Sequence, residues 1–301
     1  RGLGDVYKRQ EGDSLAMQIR NGDQHSKDYS RLKDAMRPGH ADYTGHVKYD
    51  GYNDYRGGGH FSGRITAPLT FAGAIAKQIL AKEGIVIGAH ALSVAGIMDF
   101  PFDPLGEEPD LFEKLSSMRL PVIDGEQGAA MEEAILAAQK EGDSVGGQIE
   151  CMALGLPVGM GEPFFDSLES EMAHMAFAIP AVKSISFGDG ETLAGMRGSE
   201  ANDPMRYENG KVKTITNHNG GVLGGISNGN PLRFTVTIKP TASIGKRQET
   251  VDISKKEDTM LSIGGRHDPC IVTRAIPVVE NAAAFVLLDL LLTGRRYHYG
   301  R

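Results

Sequence analysis

Tryptophan is absent and cysteine occurs only twice, at Cys151 and Cys270. Two thiols cannot staple a disulfide scaffold, so they read as reduced thiols of a cytoplasmic protein resting on a hydrophobic core. Positive charge is in deficit: 32 Lys+Arg stand against 39 Asp+Glu, a formal net charge of −7. A net anion is repelled by nucleic acid and by anionic membranes, which argues against both as partners. No segment reads as a membrane span. The most apolar stretch, 275–292, carries Glu280, Asn281 and Asp289 and is expected to be a buried helix. The polar N-terminus lacks the apolar region of a signal peptide. Nucleotide, hydrolase and metal signatures are missing too. No G-x-x-x-x-G-K-[ST] loop, no G-x-G-x-x-G after a strand, no G-x-S-x-G elbow and no His/Cys/Asp/Glu set at metal-ligand spacing occurs. These gaps disfavour a phosphotransferase that binds a nucleoside triphosphate and Mg²⁺.

What is present is ordinary globular composition, 40% hydrophobic and 24% charged over 301 residues, enough for one large core. Residues 1–10 show no helical or strand periodicity and read as a foreign leader or reading-frame scar, leaving 11–301 as one domain. Helices are expected over 65–83, with Pro68 early and Gly84 as the stop, over 131–141, over 167–178 with Ser167 as N-cap, and over 274–292. Strands are expected over 85–98, 146–154, 182–187 and, half-exposed, 232–239. Without strict βαβ alternation, this order predicts an α+β fold with antiparallel sheets.

Glycine is the surplus residue, 39 of 301 against a usual ~7%. It gathers in three places. Between Arg37 and Arg64 lie His40, His46, Lys48, Arg56, the run Gly57-Gly58-Gly59, and then His60-Phe61-Ser62 before a helix. Backbone N–H groups at a helix entrance beside fixed cations form an anion site, or else a surface loop with incidental charge. A second cluster runs from Asn217 to Gly229, followed by Lys239-Pro240-Thr241-Ala242-Ser243, an ammonium and two hydroxyls at a strand end. The third is Gly264-Gly265-Arg266-His267-Asp268-Pro269-Cys270. There Arg266 offers a planar fork and Asp268, held in a turn, a base, or the two simply pair. Cys270 reads as a packed thiol, and His90 and His174 as structural histidines in apolar contexts.

Taken in order, these motifs resemble the chorismate synthase family over roughly residues 11–295. The resemblance rests on Arg37-Pro-Gly-His40-Ala-Asp-Tyr-Thr44, Asp54-Tyr-Arg-Gly-Gly-Gly59 with Ser62-Gly-Arg64, and Val182-Lys183 through Gly190. It continues in Asn217-His218 through Ser227, Lys239-Pro-Thr241 and Gly265-Arg-His-Asp-Pro-Cys270. It implies a sandwich of antiparallel sheets with helices between them, assembled as a homotetramer. It implies a lyase that converts 5-enolpyruvylshikimate 3-phosphate to chorismate and phosphate by anti-1,4-elimination, with reduced FMN. In bifunctional members NADPH reduces that flavin. By the same resemblance His40 protonates or stabilises the leaving phosphate, Arg37 and Arg64 contact substrate, and Asp268 works with the flavin to remove the proton. His60, Phe61, Ser62, Pro180, Ala181, Gly224, Lys239 to Ser243 and Arg266 hold FMN. No metal is implied.

Two departures stand out. The family usually has Arg-Ser-Ser where this chain has His60-Phe61-Ser62, which removes a permanent charge beside the flavin. The family's opening Gly-Glu-Ser-His-Gly type motif and the arginine-rich segment after it do not occur, so the sequence is expected to be incomplete at its N-terminus. Without that histidine, a non-catalytic FMN-binding scaffold or an inactive fragment is the competing reading.

Overall fold

The computed structural model describes residues 15–20, 33–264 and 268–297. The expected leader over 1–10 and Arg266 lie outside them. The described helices are α1 (Asp42–Lys48), α2 (Thr66–Lys82), α3 (Pro109–Ser116), α4 (Gly125–Lys140), α5 (Leu168–Ala178), α6 (Gly198–Ala201) and α7 (Val272–Tyr297). The strands are β1 (Val86–Val94), β2 (Ile97–Met98), β3 (Gly147–Leu154), β4 (Val182–Phe187), β5 (Met205–Glu208), β6 (Lys211–Thr214), β7 (Val222–Leu223), β8 (Ile226–Ser227), β9 (Leu232–Ile238), β10 (Gln248–Asp252) and β11 (Glu257–Leu261). Five of them form one antiparallel sheet in the order β2-β1-β3-β9-β4, and the others pair as hairpins. The α+β class with antiparallel sheets is thus realised.

Alternation along the strands sorts the sheet into two chemically different faces. Ile87, Ala89 and Ala91 of β1, Ile149 and Cys151 of β3, and Phe234 and Val236 of β9 share the main core with Leu80 of α2 and with Ile276, Ala283 and Leu287 of α7. The intervening residues point to the other face, where Phe102, Phe112, Leu115 and Met152 make a smaller core beside α3. Helices α2 and α7 cross closely at Gly73, where any Cβ would collide with the Asn281 carbonyl. Helix α7 is long and apolar enough to cross a membrane by length and composition, yet half of that stretch is buried inside the fold, as expected of a core helix.

Some expectations shift at their edges. The strand foreseen over 85–98 turns back at Ala95-Gly96, both at positive φ, and becomes the β1–β2 hairpin. Helix α4 begins six residues before Met131, because the Asp124 side chain accepts from Glu126 N at 2.8 Å and caps it. Ser167 caps α5 as foreseen, accepting from Ser170 N at 3.0 Å. Strand β9 is a central strand and more buried than a half-exposed one, because even its Arg233 is buried by ion pairing. His174 is exposed on α5, whereas His90 is fully buried against polar partners.

Candidate active site

The Arg37-Pro-Gly-His40 segment turns tightly, with His40 N donating to Arg37 O at 3.2 Å and Gly39 at φ +69°. Helix α1 follows and its first residue, Asp42, folds back under the turn. Its carboxylate accepts from Arg37 N at 3.0 Å, from Arg37 Nε at 2.7 Å and from Arg37 Nη2 at 2.8 Å. The same carboxylate lies 2.7 Å from His40 Nδ1. Burial alone would raise the Asp42 pKa, but hydrogen bonds from Arg37 and His40, and their charges, outweigh it and hold the carboxyl far below the usual range. Arg37 Nη1 reaches across to Ser243 Oγ at 3.1 Å, and Lys239 Nζ donates to the Gly39 carbonyl. Five side chains from two distant stretches of sequence therefore form one knot.

The glycine-rich loop makes a second wall. A Cβ added at Gly58 would stand 3.7 Å from His40 Nε2 and 3.4 Å from Ser62 Cβ, so that imidazole edge faces this loop. The Phe61 ring lies so close over Gly45 of α1 that a Cβ there would force the ring to shift. Ser62 Oγ accepts from Arg64 N at 3.2 Å and caps the 3₁₀ turn leading into α2. His60 and Arg64 are exposed.

The third wall is the end of the large sheet. Lys239 N donates to Ala181 O at 3.0 Å, with Ala181 at φ +75°, so Pro180 and Ala181 join the 239–243 segment. Ser144 Oγ donates to Thr241 O at 2.8 Å and Val145 N to Pro269 O at 2.8 Å, which brings Asp268 to the same end. Asp268 Oδ1 accepts from Cys270 N at 3.4 Å, and Oδ2 lies 3.0 Å from Arg274 Nε, outside hydrogen-bond alignment. Burial pushes the Cys270 thiol pKa up, in keeping with a packed thiol.

Of the residues foreseen from sequence, Arg37, His40, Ser62, Pro180, Ala181, Lys239 to Ser243 and Asp268 meet at one end of the sheet. Gly224 does not join them within this chain. It sits in the β7–β8 hairpin, beyond the start of β9, about 20 Å of strand away from Lys239. Asp42 escaped notice because an H-A-D triplet at a helix start looks like an ordinary first-turn acid.

A second polar cluster was also missed. On the far face of the sheet, fully buried His90 lies between Asp99 Oδ2, 3.2 Å from Nδ1, and Glu150 Oε2, 3.0 Å from Nε2. Arg233 continues the chain to Glu150 Oε1 at 3.3 Å and to Asp189 Oδ1 at 2.7 Å, and Asp189 Oδ2 meets His218 Nδ1 at 2.6 Å. These residues are scattered over six segments; strand register brings His90, Glu150 and Arg233 together, and loops add Asp99, Asp189 and His218.

The site can be tested for a flavin phosphate and ribityl chain. Thr241 Oγ1 is buried without a partner among the described residues, in the same short segment as Lys239 and Ser243. A cation with adjacent hydroxyls, one of them unsatisfied, fits such a group. Among the described residues no cluster of three metal-ligating side chains occurs.

Comparison with known proteins agrees with this geometry. The family model for chorismate synthase matches residues 3–292. The chain is 44% identical over 285 residues to the chorismate synthase of Korarchaeum cryptofilum, covering 95% of this chain and 78% of that one. It is 46% identical over 281 residues to that of Dehalococcoides mccartyi, covering 93% and 76%. It is 45% identical over 298 residues to that of Thermococcus kodakarensis, covering 98% and 81%. A crystal structure of a chorismate synthase superposes with a TM-score of 0.70 at 26% identity, over 84% of this chain and 70% of that one. Fold, motif order and relatives agree: the chain belongs to the chorismate synthase family.

Proposed function

We propose that the knot around His40 is the site at which this shikimate-pathway lyase converts 5-enolpyruvylshikimate 3-phosphate to chorismate and phosphate. The observation that carries the reading is the convergence of His40, Arg37, Lys239 and Ser243 in one knot, with the Asp268-Pro269 turn tied to the same end of the sheet. Loss of a phosphate dianion needs positive charge and a proton at the departing oxygen. Arg37 spends Nε, one Nη1 hydrogen and one Nη2 hydrogen on Asp42 and Ser243, and its Nη2 also lies against His40, which leaves an Nη1 hydrogen for the substrate. Arg64, exposed at the loop rim, supplies a second cation. His40 Nε2 hands its proton to the leaving phosphate, and an Asp268 carboxylate oxygen takes the proton from the substrate carbon.

His60, Phe61, Ser62, Pro180, Ala181, Lys239 to Ser243 and Arg266 would hold reduced FMN, with Gly224 assigned by family likeness alone. When bound, the reduced flavin supplies electron density that makes an allylic phosphate easier to expel. NADPH is the reductant to test. The same reading carries a homotetramer in the cytoplasm, and the buried free thiols Cys151 and Cys270 suit a reducing compartment.

The Thr241 hydroxyl provides a direct test. Thr241→Val is expected to weaken FMN binding about 3–10-fold, the worth of one hydrogen bond. Thr241→Ser should bind within about 2-fold of the parent. Quenching of flavin fluorescence measures both, and equal affinity for the valine variant would remove Thr241 from the site.

A further inference from the structure

We propose that Asp42 is a positioning residue for the elimination, acting through His40. The proposal rests on the reading of His40 as proton donor. Asp42 is buried and its carboxylate is a junction: one oxygen takes Arg37 N and Nε, and the other takes Arg37 Nη2 and faces His40 Nδ1 at 2.7 Å. His40 Nδ1 also lies 3.1 Å from Arg37 Nη2, but a guanidinium has no lone pair to offer. An unprotonated Nδ1 could accept from Arg37 Nη2 at 3.1 Å, but its lone pair would then face the carboxylate oxygen at 2.7 Å, whereas Nδ1–H toward Asp42 makes a short charge-assisted bond. The carboxylate therefore selects the Nδ1–H tautomer. That choice leaves Nε2 as the atom that gains and gives the working proton, and Nε2 is the edge turned toward Gly58 and Ser62.

The same carboxylate neutralises Arg37. Burying Arg37 beside an imidazole without Asp42 would place a bare cation against the group that must become cationic. Asp42 thus lets a guanidinium and a protonated imidazole sit side by side. Through Arg37 Nη1 and Ser243 Oγ it also ties the proton donor to the 239–243 segment. No other carboxylate among the described residues pairs with His40. A carboxamide in its place could keep the shape but not the charge, and it could turn its own N–H₂ toward Nδ1.

Asp42→Asn in the holoenzyme is expected to lower kcat for phosphate release about 10–100-fold while KM for the phosphorylated substrate moves less than about 3-fold. Asp42→Glu, which restores the charge, should recover at least half of that loss on a logarithmic scale. In the His40→Ala background Asp42→Asn should cost less than about 2-fold more, since a residue that acts through His40 has nothing left to position. A second readout does not depend on turnover. With ¹⁵N-labelled histidine, the neutral His40 ring should report one tautomer protonated at Nδ1 in the parent and a mixture in Asp42→Asn. An unchanged tautomer in that variant, or full additivity with His40→Ala, overturns the proposal. His40→Ala at parental kcat instead overturns the reading of His40 as donor, and the nitrogen signals then decide alone whether Asp42 sets the ring. If Asp42→Asn does not fold, the same cycle and spectra on Asp42→Glu decide, with parental values in both counting against the proposal.

Discussion

Asp268→Asn is expected to slow phosphate release by about 10²–10⁴-fold while FMN still binds, the range ascribed to loss of a positioned acid or base. The carboxamide keeps the size and planarity of the carboxylate and removes only the capacity to take a proton. The Asp268-Pro269 turn is pinned from outside itself, by Val145 N on Pro269 O, so its backbone should survive the change. Its charged partner among the described residues, Arg274, is 81% exposed at its side chain, and an exposed ion pair is worth little to stability. Retained folding and flavin affinity with lost turnover is therefore the expected signature. Anaerobic phosphate assays with chemically reduced FMN, alongside flavin titration, measure the two halves. A variant within about 3-fold of the parental rate would show that the proton leaves to another group.

The largest effect on stability is expected at Glu150, far from the chemistry. Glu150 takes His90 Nε2, Arg233 Nη1 and Phe102 N on one buried carboxylate. Glu150→Leu would leave His90 with Asp99 alone, Arg233 with Asp189 alone, and the Phe102 N–H without its acceptor, a change that costs about 3–5 kcal/mol. In a chain of this size that lowers Tm by roughly 5–15 °C. The sign of its pH dependence follows from the partners. Burial alone would lower the His90 pKa, but Asp99 and Glu150 overcome it and raise it. His90 therefore stabilises the fold fully below its unfolded value of ~6.5, and that contribution fades as pH rises through the raised native value. Asp99, whose carboxyl is held low by His90 and by Ile123 and Asp124 N–H groups against the opposing effect of burial, contributes fully above ~3.9 and less as pH falls. The stability gap between parent and Glu150→Leu should accordingly be widest in mildly acidic buffer and narrow at alkaline pH. Chemical denaturation across that range measures it, and a gap under about 1 kcal/mol throughout would mean that the network is not stabilising.

The two clusters show what a single sequence makes legible. The elements were readable where a local rule acts: Ser167 as a cap, Gly84 after α2, and a short strand over 146–154. The chemistry around His40 was readable because its residue types crowd into short motifs, and because motif order survives folding. Asp42 was not, since its role depends on a turn that curls a helix-start carboxylate back by five residues. The network of His90, Glu150 and Arg233 was invisible for a different reason, although His90 itself reads as a structural histidine. Each stands alone between apolar neighbours in its own strand, and only the register His90 opposite Glu150, with β9 beside them, makes three isolated polar residues one buried network. Gly224 shows the converse. A glycine-rich motif named it, but the fold places it at the opposite end of β9 from Lys239.

The most direct measurement is anaerobic release of phosphate from 5-enolpyruvylshikimate 3-phosphate by the parent protein and by His40→Ala, each with and without chemically reduced FMN. The account predicts release by the parent only when reduced flavin is present, and a fall of about 10²-fold or more in His40→Ala. Release by the parent that ignores the flavin, or equal rates for parent and variant, would contradict it.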